Sequence, residues 1–105
     1  MLNKQVTFTI GLMTSKRASL WPSYVITAAS AILAAEGING FTVTEHIGYW
    51  KGEPEKSLSV TVVYDSNDLT AFSPHAVAGA MAKQFYQEAV LYTIHGVFAN
   101  MVGAL

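Results

Sequence analysis

The residues able to do chemistry gather in one short stretch. Tyr49, Trp50, Glu53 and Glu55 stand close together, and these two glutamates are part of a set of only seven carboxylates in the chain. Aromatic faces attract cations, and carboxylates hold them through charge-assisted hydrogen bonds. The stretch is therefore the first place to look for a binding or catalytic site. A competing reading treats Glu53 and Glu55, beside Lys51 and Lys56, as a solvated hairpin tip, with Tyr49 and Trp50 as core or interface residues. Lys16 and Arg17 mark a polar loop that is either a solvated turn or a place for an anionic or carboxylate group. His46, His75 and His95 have no ligand spacing and no acidic cluster around them, and the chain has no cysteine. No metal site is expected. Neither a phosphate loop of the Gly-x-x-x-x-Gly-Lys type nor a Gly-x-Ser-x-Gly elbow occurs.

The elements that must position these residues follow from periodicity. Val6, Phe8, Ile10 and Leu12 alternate with Thr7, Thr9 and Gly11, which predicts a strand over 5–13. Ser19 is the expected N-cap of a helix over 20–36, with Pro22 in its first turn and Gly37 as its stop. Phe41, Val43, Ile47 and Tyr49 share one parity, and Leu58, Val60, Val62 and Tyr64 share another. They predict strands over 38–49 and 57–65, joined by a polar connector over 50–56 that holds Gly52 and Pro54. Asp65 to Asp68 is a turn cluster. Ser73 and Pro74 open a second helix over 74–86, with Val77, Met81 and Phe85 on one face. Residues 89–95 favour strand, Gly96 interrupts them, and 97–102 form a further short strand. A helix continuing to Ile94 is the alternative. The order is β-α-β-β-α-β, the ferredoxin-like arrangement, with two helices on one face of an antiparallel sheet.

Length and composition bound the rest. A chain of 105 residues is read as one domain. Hydrophobic residues make up 51% and charged residues 12% of it, against about 25% charged in ordinary domains. That excess suggests an additional buried surface, and an oligomer in which a partner subunit covers the open sheet face. No apolar run approaches the ~20 residues of a spanning helix. The first residues lack the apolar core of a signal peptide, so a cytoplasmic location is expected. Six Lys and Arg with a net charge of −1 argue against a nucleic-acid surface.

Two resemblances sharpen this reading. Gly37-Ile-Asn-Gly-Phe-Thr-Val-Thr-Glu45 resembles the second strand of the trimeric PII-like signalling proteins, although the connector here is far shorter than their regulatory loop. Three motifs, in order along most of the chain, resemble the phage-encoded S-adenosylmethionine lyases, long known as hydrolases. They are Gly48-Tyr49-Trp50, Glu55-Lys56-Ser57 and Gln87-Glu88-Ala89-Val90-Leu91. A bacterial family of unknown function shares parts of the pattern. The resemblance implies a PII-like trimer with substrate held between subunits. It implies conversion of S-adenosylmethionine to methylthioadenosine and homoserine lactone without a cofactor, which depletes the host's methyl donor. Tyr49 and Glu55 are then the expected catalytic residues, and Trp50, Glu53, Gln87 and Glu88 the expected substrate contacts. A PII-like sensor that binds a nucleotide or metabolite without reaction is the alternative, and a purely structural protein is a third class.

Overall fold

In the computed structural model, which describes residues 1–104 except for the side chain of Trp50, six elements follow the expected order. They are β1 Leu2–Gly11, α1 Pro22–Ala35, β2 Thr42–Trp50, β3 Glu53–Tyr64, α2 Pro74–Gln84 and β4 Leu91–Ala99. The strands form one antiparallel sheet in the order β2-β3-β1-β4, a ferredoxin-like α+β fold.

Alternation builds the core. Val6, Phe8 and Ile10 of β1 stand opposite Val62, Val60 and Leu58 of β3. Directly opposed residues share a face, so these six form one apolar surface. Val25, Ala29 and Leu33 of α1 and Val77, Ala78 and Met81 of α2 are buried against it in a single cluster. Both helices therefore cover the same face. Each fully buried Phe, Leu or Val contributes roughly 1.5–3 kcal/mol relative to exposure. The open face carries Thr7, Thr9, Ser59, Thr61 and His46. These are joined by hydrogen bonds between the Thr7 and Thr61 hydroxyls (3.0 Å), the Thr9 and Ser59 hydroxyls (3.5 Å), and His46 Nε2 and Ser59 Oγ (2.6 Å).

Several boundaries differ from the sequence expectation, each for a local reason. Helix α1 is capped by Trp21 and not by Ser19. Pro22 takes the first helical position, and the residue before a proline is pushed to extended backbone, which Trp21 adopts (φ −74°, ψ 130°). Ser19 instead forms an isolated bridge with Met13. At the other end, Gly37 (φ 82°) supplies the left-handed stop. Its N–H donates to Ala34 O and the Ile38 N–H to Leu33 O, both at 3.0 Å, which is a Schellman closure.

The connector expected over 50–56 is a two-residue turn. Trp50 pairs with Glu53, and Lys51 (φ 52°) and Gly52 (φ 81°) both take the positive φ of a type I′ hairpin. Glu53, Pro54, Glu55 and Lys56 belong to β3. Pro54 is tolerated because β1 pairing ends at Gly11 and Ser57, so β3 is paired there with β2 alone. Asp65 forms the expected turn, its Oδ1 accepting the Asn67 N–H at 2.9 Å. Ser73 caps α2 as expected, its Oγ accepting the Ala76 N–H at 3.2 Å. The chain then runs as one strand through Gly96, with a register shift absorbing the irregularity. The helix does not extend to Ile94.

Candidate functional site

The overhang of the β2–β3 hairpin beyond β1 creates a recess. Glu55 stands opposite Gly48 on the open face of the sheet. Gly11 ends β1 beside it without a side chain, and the Glu55 carboxylate folds over that gap. A β-carbon at position 11 would lie 2.8 Å from Glu55 Cδ and 3.0 Å from Gln87 Oε1.

Gln87 arrives from the loop between α2 and β4. Tyr86 adopts left-handed backbone (φ 51°), and the Gln87 N–H donates to Ala82 O at 2.9 Å. The side-chain Nε2 donates to Met13 O (2.9 Å) and Phe85 O (3.1 Å). With both amide protons directed at backbone carbonyls, Oε1 is left as an acceptor beside Glu55. The partly buried Glu55 carboxylate has no hydrogen bond or ion pair among the described residues. Two acceptors thus converge over Gly11 with no protein donor between them.

These groups line a cleft of about 750 Å³, within the size range of small-molecule sites. Five of the six residues expected from sequence border it: Tyr49, Glu53, Glu55, Gln87 and Glu88. They do not contribute alike. Glu53 lies on the Glu55 face of β3 but is exposed. Glu88 is paired with Lys51 (3.2 Å), a contact that joins the hairpin turn to the α2–β4 loop. Tyr49 opposes Pro54, so the pleat turns it to the face opposite Glu55, and it is 75% exposed at the rim. No hydrogen bond joins Tyr49 to Glu55 among the described residues. The side chain of Trp50 lies outside the described part.

Sequence reading missed Gly11 as part of this wall, whereas the 14–18 loop, expected either as a solvated turn or as a place for an anionic or carboxylate group, contributes Thr14, Ser15 and Arg17 to it. The only available signal for Gly11 was a residue without a side chain on the lighter face of a strong strand pattern. A second cleft of about 400 Å³ lies at the helix-side base of the hairpin, near Leu20, Trp21, Glu45 and Lys56. It is smaller and more apolar, and although Glu45 and Glu55 border it, Gln87 does not, so the larger cleft is the better candidate. Among the described residues no group of three or more His, Cys, Asp or Glu is placed to hold a metal ion. His46 bonds Ser59, and His75 Nδ1 lies 3.1 Å from the Tyr92 hydroxyl. No described helix is long and apolar enough to cross a membrane.

No protein-family model matches the sequence, and no curated protein matches it. Solved structures do. A phage SAM lyase in complex with S-methyl-5'-thioadenosine superposes with a TM-score of 0.76 at 17% identity, covering 90% of this chain and 81% of that one. The apo state of a phage SAM lyase gives 0.75 at 19% identity over the same shares. A DUF3240 family protein from Shewanella baltica OS155 gives 0.65 at 12% identity, covering 99% of this chain and 100% of that one. At these identities the likeness is one of fold, and it is the fold that this chain shares with a phage SAM lyase.

Proposed function

We propose that the chain cleaves S-adenosylmethionine to 5′-methylthioadenosine and L-homoserine lactone. The observation that carries this reading is the convergence of Glu55 and Gln87 Oε1 over Gly11, in a cleft large enough for such a ligand. Two acceptors without a protein donor suit a substrate ammonium group. The fold shared with a phage SAM lyase in complex with S-methyl-5'-thioadenosine supports the choice of substrate.

The reaction needs little from the protein beyond posture. A carboxylate oxygen of the substrate attacks its own γ-carbon, the carbon–sulfur bond breaks, and the electron pair leaves on sulfur as a neutral thioether. No proton moves. Opposite charges cancel along the path, so exclusion of water favours it. Holding the methionine part in the attacking conformer supplies the rest. Glu55 holds the ammonium with Gln87, and Tyr49, exposed at the rim, is the aromatic group offered to the sulfonium. Glu53 and Glu88 complete the acidic side, and no cofactor is required. In this reading three copies assemble with the clefts between them, and a phage carrying the protein drains its host's methyl donor and so escapes restriction.

Incubation with S-adenosylmethionine followed by chromatography tests the proposal. Methylthioadenosine is expected, with the lactone appearing before homoserine. No product at high protein concentration, together with tight nucleotide binding, would overturn cleavage in favour of a PII-like sensor. Homoserine as the first product would overturn intramolecular attack.

A further inference from the structure

The cleft has a second pole, formed by the loop between β1 and α1. Thr14 closes this loop on itself. Its N–H donates to Ala18 O (2.7 Å), its carbonyl accepts from the Arg17 N–H (2.8 Å), and its hydroxyl accepts from the Ala18 N–H (3.0 Å). The Ser15 N–H donates to Tyr86 O at 2.7 Å, which ties the loop to the segment that delivers Gln87. Within this closed loop Arg17 takes a left-handed backbone conformation (φ 64°), unfavourable for any residue with a β-carbon. Arg17 borders the cleft, together with Glu55 and Gln87. Its guanidinium makes no ion pair or hydrogen bond among the described residues, whereas the other cation of the cleft, Lys51, is joined to Glu88.

We propose that Arg17 is the specificity residue of the cleft and holds the carboxylate of a zwitterionic ligand whose ammonium group lies against Glu55 and Gln87. A guanidinium presents paired N–H donors that match a carboxylate, and a cleft with one acidic and one basic wall selects a ligand carrying both charges. The ligand class is an α-amino acid joined through sulfur to a nucleoside. The inference rests on the reading of this cleft as the S-adenosylmethionine site, and assigns it a residue that the acidic wall does not supply. During cleavage the guanidinium engages one carboxylate oxygen while the other attacks. Arg17 therefore acts mainly on binding, so its loss should raise KM more than it lowers kcat.

Binding of two thioethers that cannot be cleaved provides the test: S-adenosylhomocysteine and its decarboxylated analogue, titrated calorimetrically into the full chain. The unaltered protein should prefer the carboxylate-bearing ligand by about tenfold to a hundredfold. Arg17→Met should bind both alike, at the affinity of the analogue, and Arg17→Lys should keep part of the preference. Arg17→Gly removes the guanidinium while relaxing the left-handed backbone, so it reads the same loss without added strain. Retained preference in the Met and Gly variants overturns the proposal. So do equal weakening of both ligands and an unaltered protein that prefers or binds neither. If the preference depends on Arg17 but S-adenosylmethionine is not cleaved, the lyase reading fails and this one stands. Cleavage with an Arg17-independent preference gives the reverse.

Discussion

Gly11 matters because of what it lacks. Glu55 Cδ and Gln87 Oε1 occupy the space where its side chain would stand. Gly11→Ala should therefore separate binding from folding. Within a strand, Ala is favoured over Gly by roughly 0.5–1 kcal/mol. The displaced atoms are the ends of flexible side chains, so the melting temperature should stay near its original value or rise. Affinity for S-adenosylhomocysteine should fall at least about tenfold, because both acceptors move, each contributing a charged or neutral hydrogen bond. Lower stability with unchanged affinity would refute the convergence of the two groups. Glu55→Gln keeps the shape and removes the charge. A charge-assisted hydrogen bond contributes roughly 1.5–3 kcal/mol, so cleavage should fall about ten- to a hundredfold while the fold survives. Glu53→Gln should be much milder, since Glu53 is exposed. Cleavage at the original rate in Glu55→Gln would restore the solvated-tip reading of the hairpin.

At the scale of elements, two serines that look alike in sequence have different roles. Ser73 caps α2 through the Ala76 N–H, while Ser19 precedes the true cap of α1 and bridges Met13. Ser73→Ala should cost about 1 kcal/mol, or roughly 5 °C in a chain of this size. Ser19→Ala should cost little, and a thermal melt of the two variants checks the difference. The contrast shows what was legible beforehand. Alternation and helical spacing gave the element order, because they report which face meets the core. Helix starts and the hairpin were harder to read. Pro22 moves the cap to an apolar residue with no capping side chain. Gly52 and Pro54 look alike as breakers, yet one makes the turn and the other rides in an overhanging strand. Residue type and spacing marked Glu55 as a candidate, and the lyase resemblance alone marked Gln87. Their meeting over Gly11 depends on the register that sets Gly11 against Ser57 and on left-handed backbone at Tyr86. Neither has a local sequence signal. The β2–β3 register, with Tyr49 opposite Pro54, turns Tyr49 away from Glu55, which proximity along the chain could not reveal.

At the scale of the molecule, the apolar surplus of the sequence remains on the surface. The accessible area is 6882 Å². A monomer of this mass is expected to expose about 5,700 Å², so the chain shows roughly 1,200 Å² more than its size requires. Its extents of 47 × 27 × 23 Å reflect an elongated body. The open sheet face, expected to need a cover, carries mainly hydroxyls and histidines. Most of the strongly exposed apolar side chains lie toward the two edges of the sheet, although Val63 and Leu91 stand on the open face opposite Gln5 and Thr9. Trp21, Ile47 and Tyr49 lie by the β2–β3 hairpin, and Leu91, Phe98, Met101 and Val102 lie on β4 and the tail beyond it. Two unlike patches at opposite edges suit a head-to-tail contact, which closes into a ring when the rotation permits. A standard contact buries about 800 Å² on each partner, so the excess area is of the right order. If three copies assemble as proposed, light scattering at micromolar concentration should give three times the chain mass of 11.3 kDa. Phe98→Ser combined with Met101→Ser removes two side chains that are 81% and 88% exposed, so the fold of each chain should persist. Circular dichroism should stay unchanged while the mass falls to that of one chain, and cleavage should fall with it if the clefts lie between subunits. A stable monomer from the unaltered sequence, active at the same concentration, would rule out the ring and leave the apolar edges without this role.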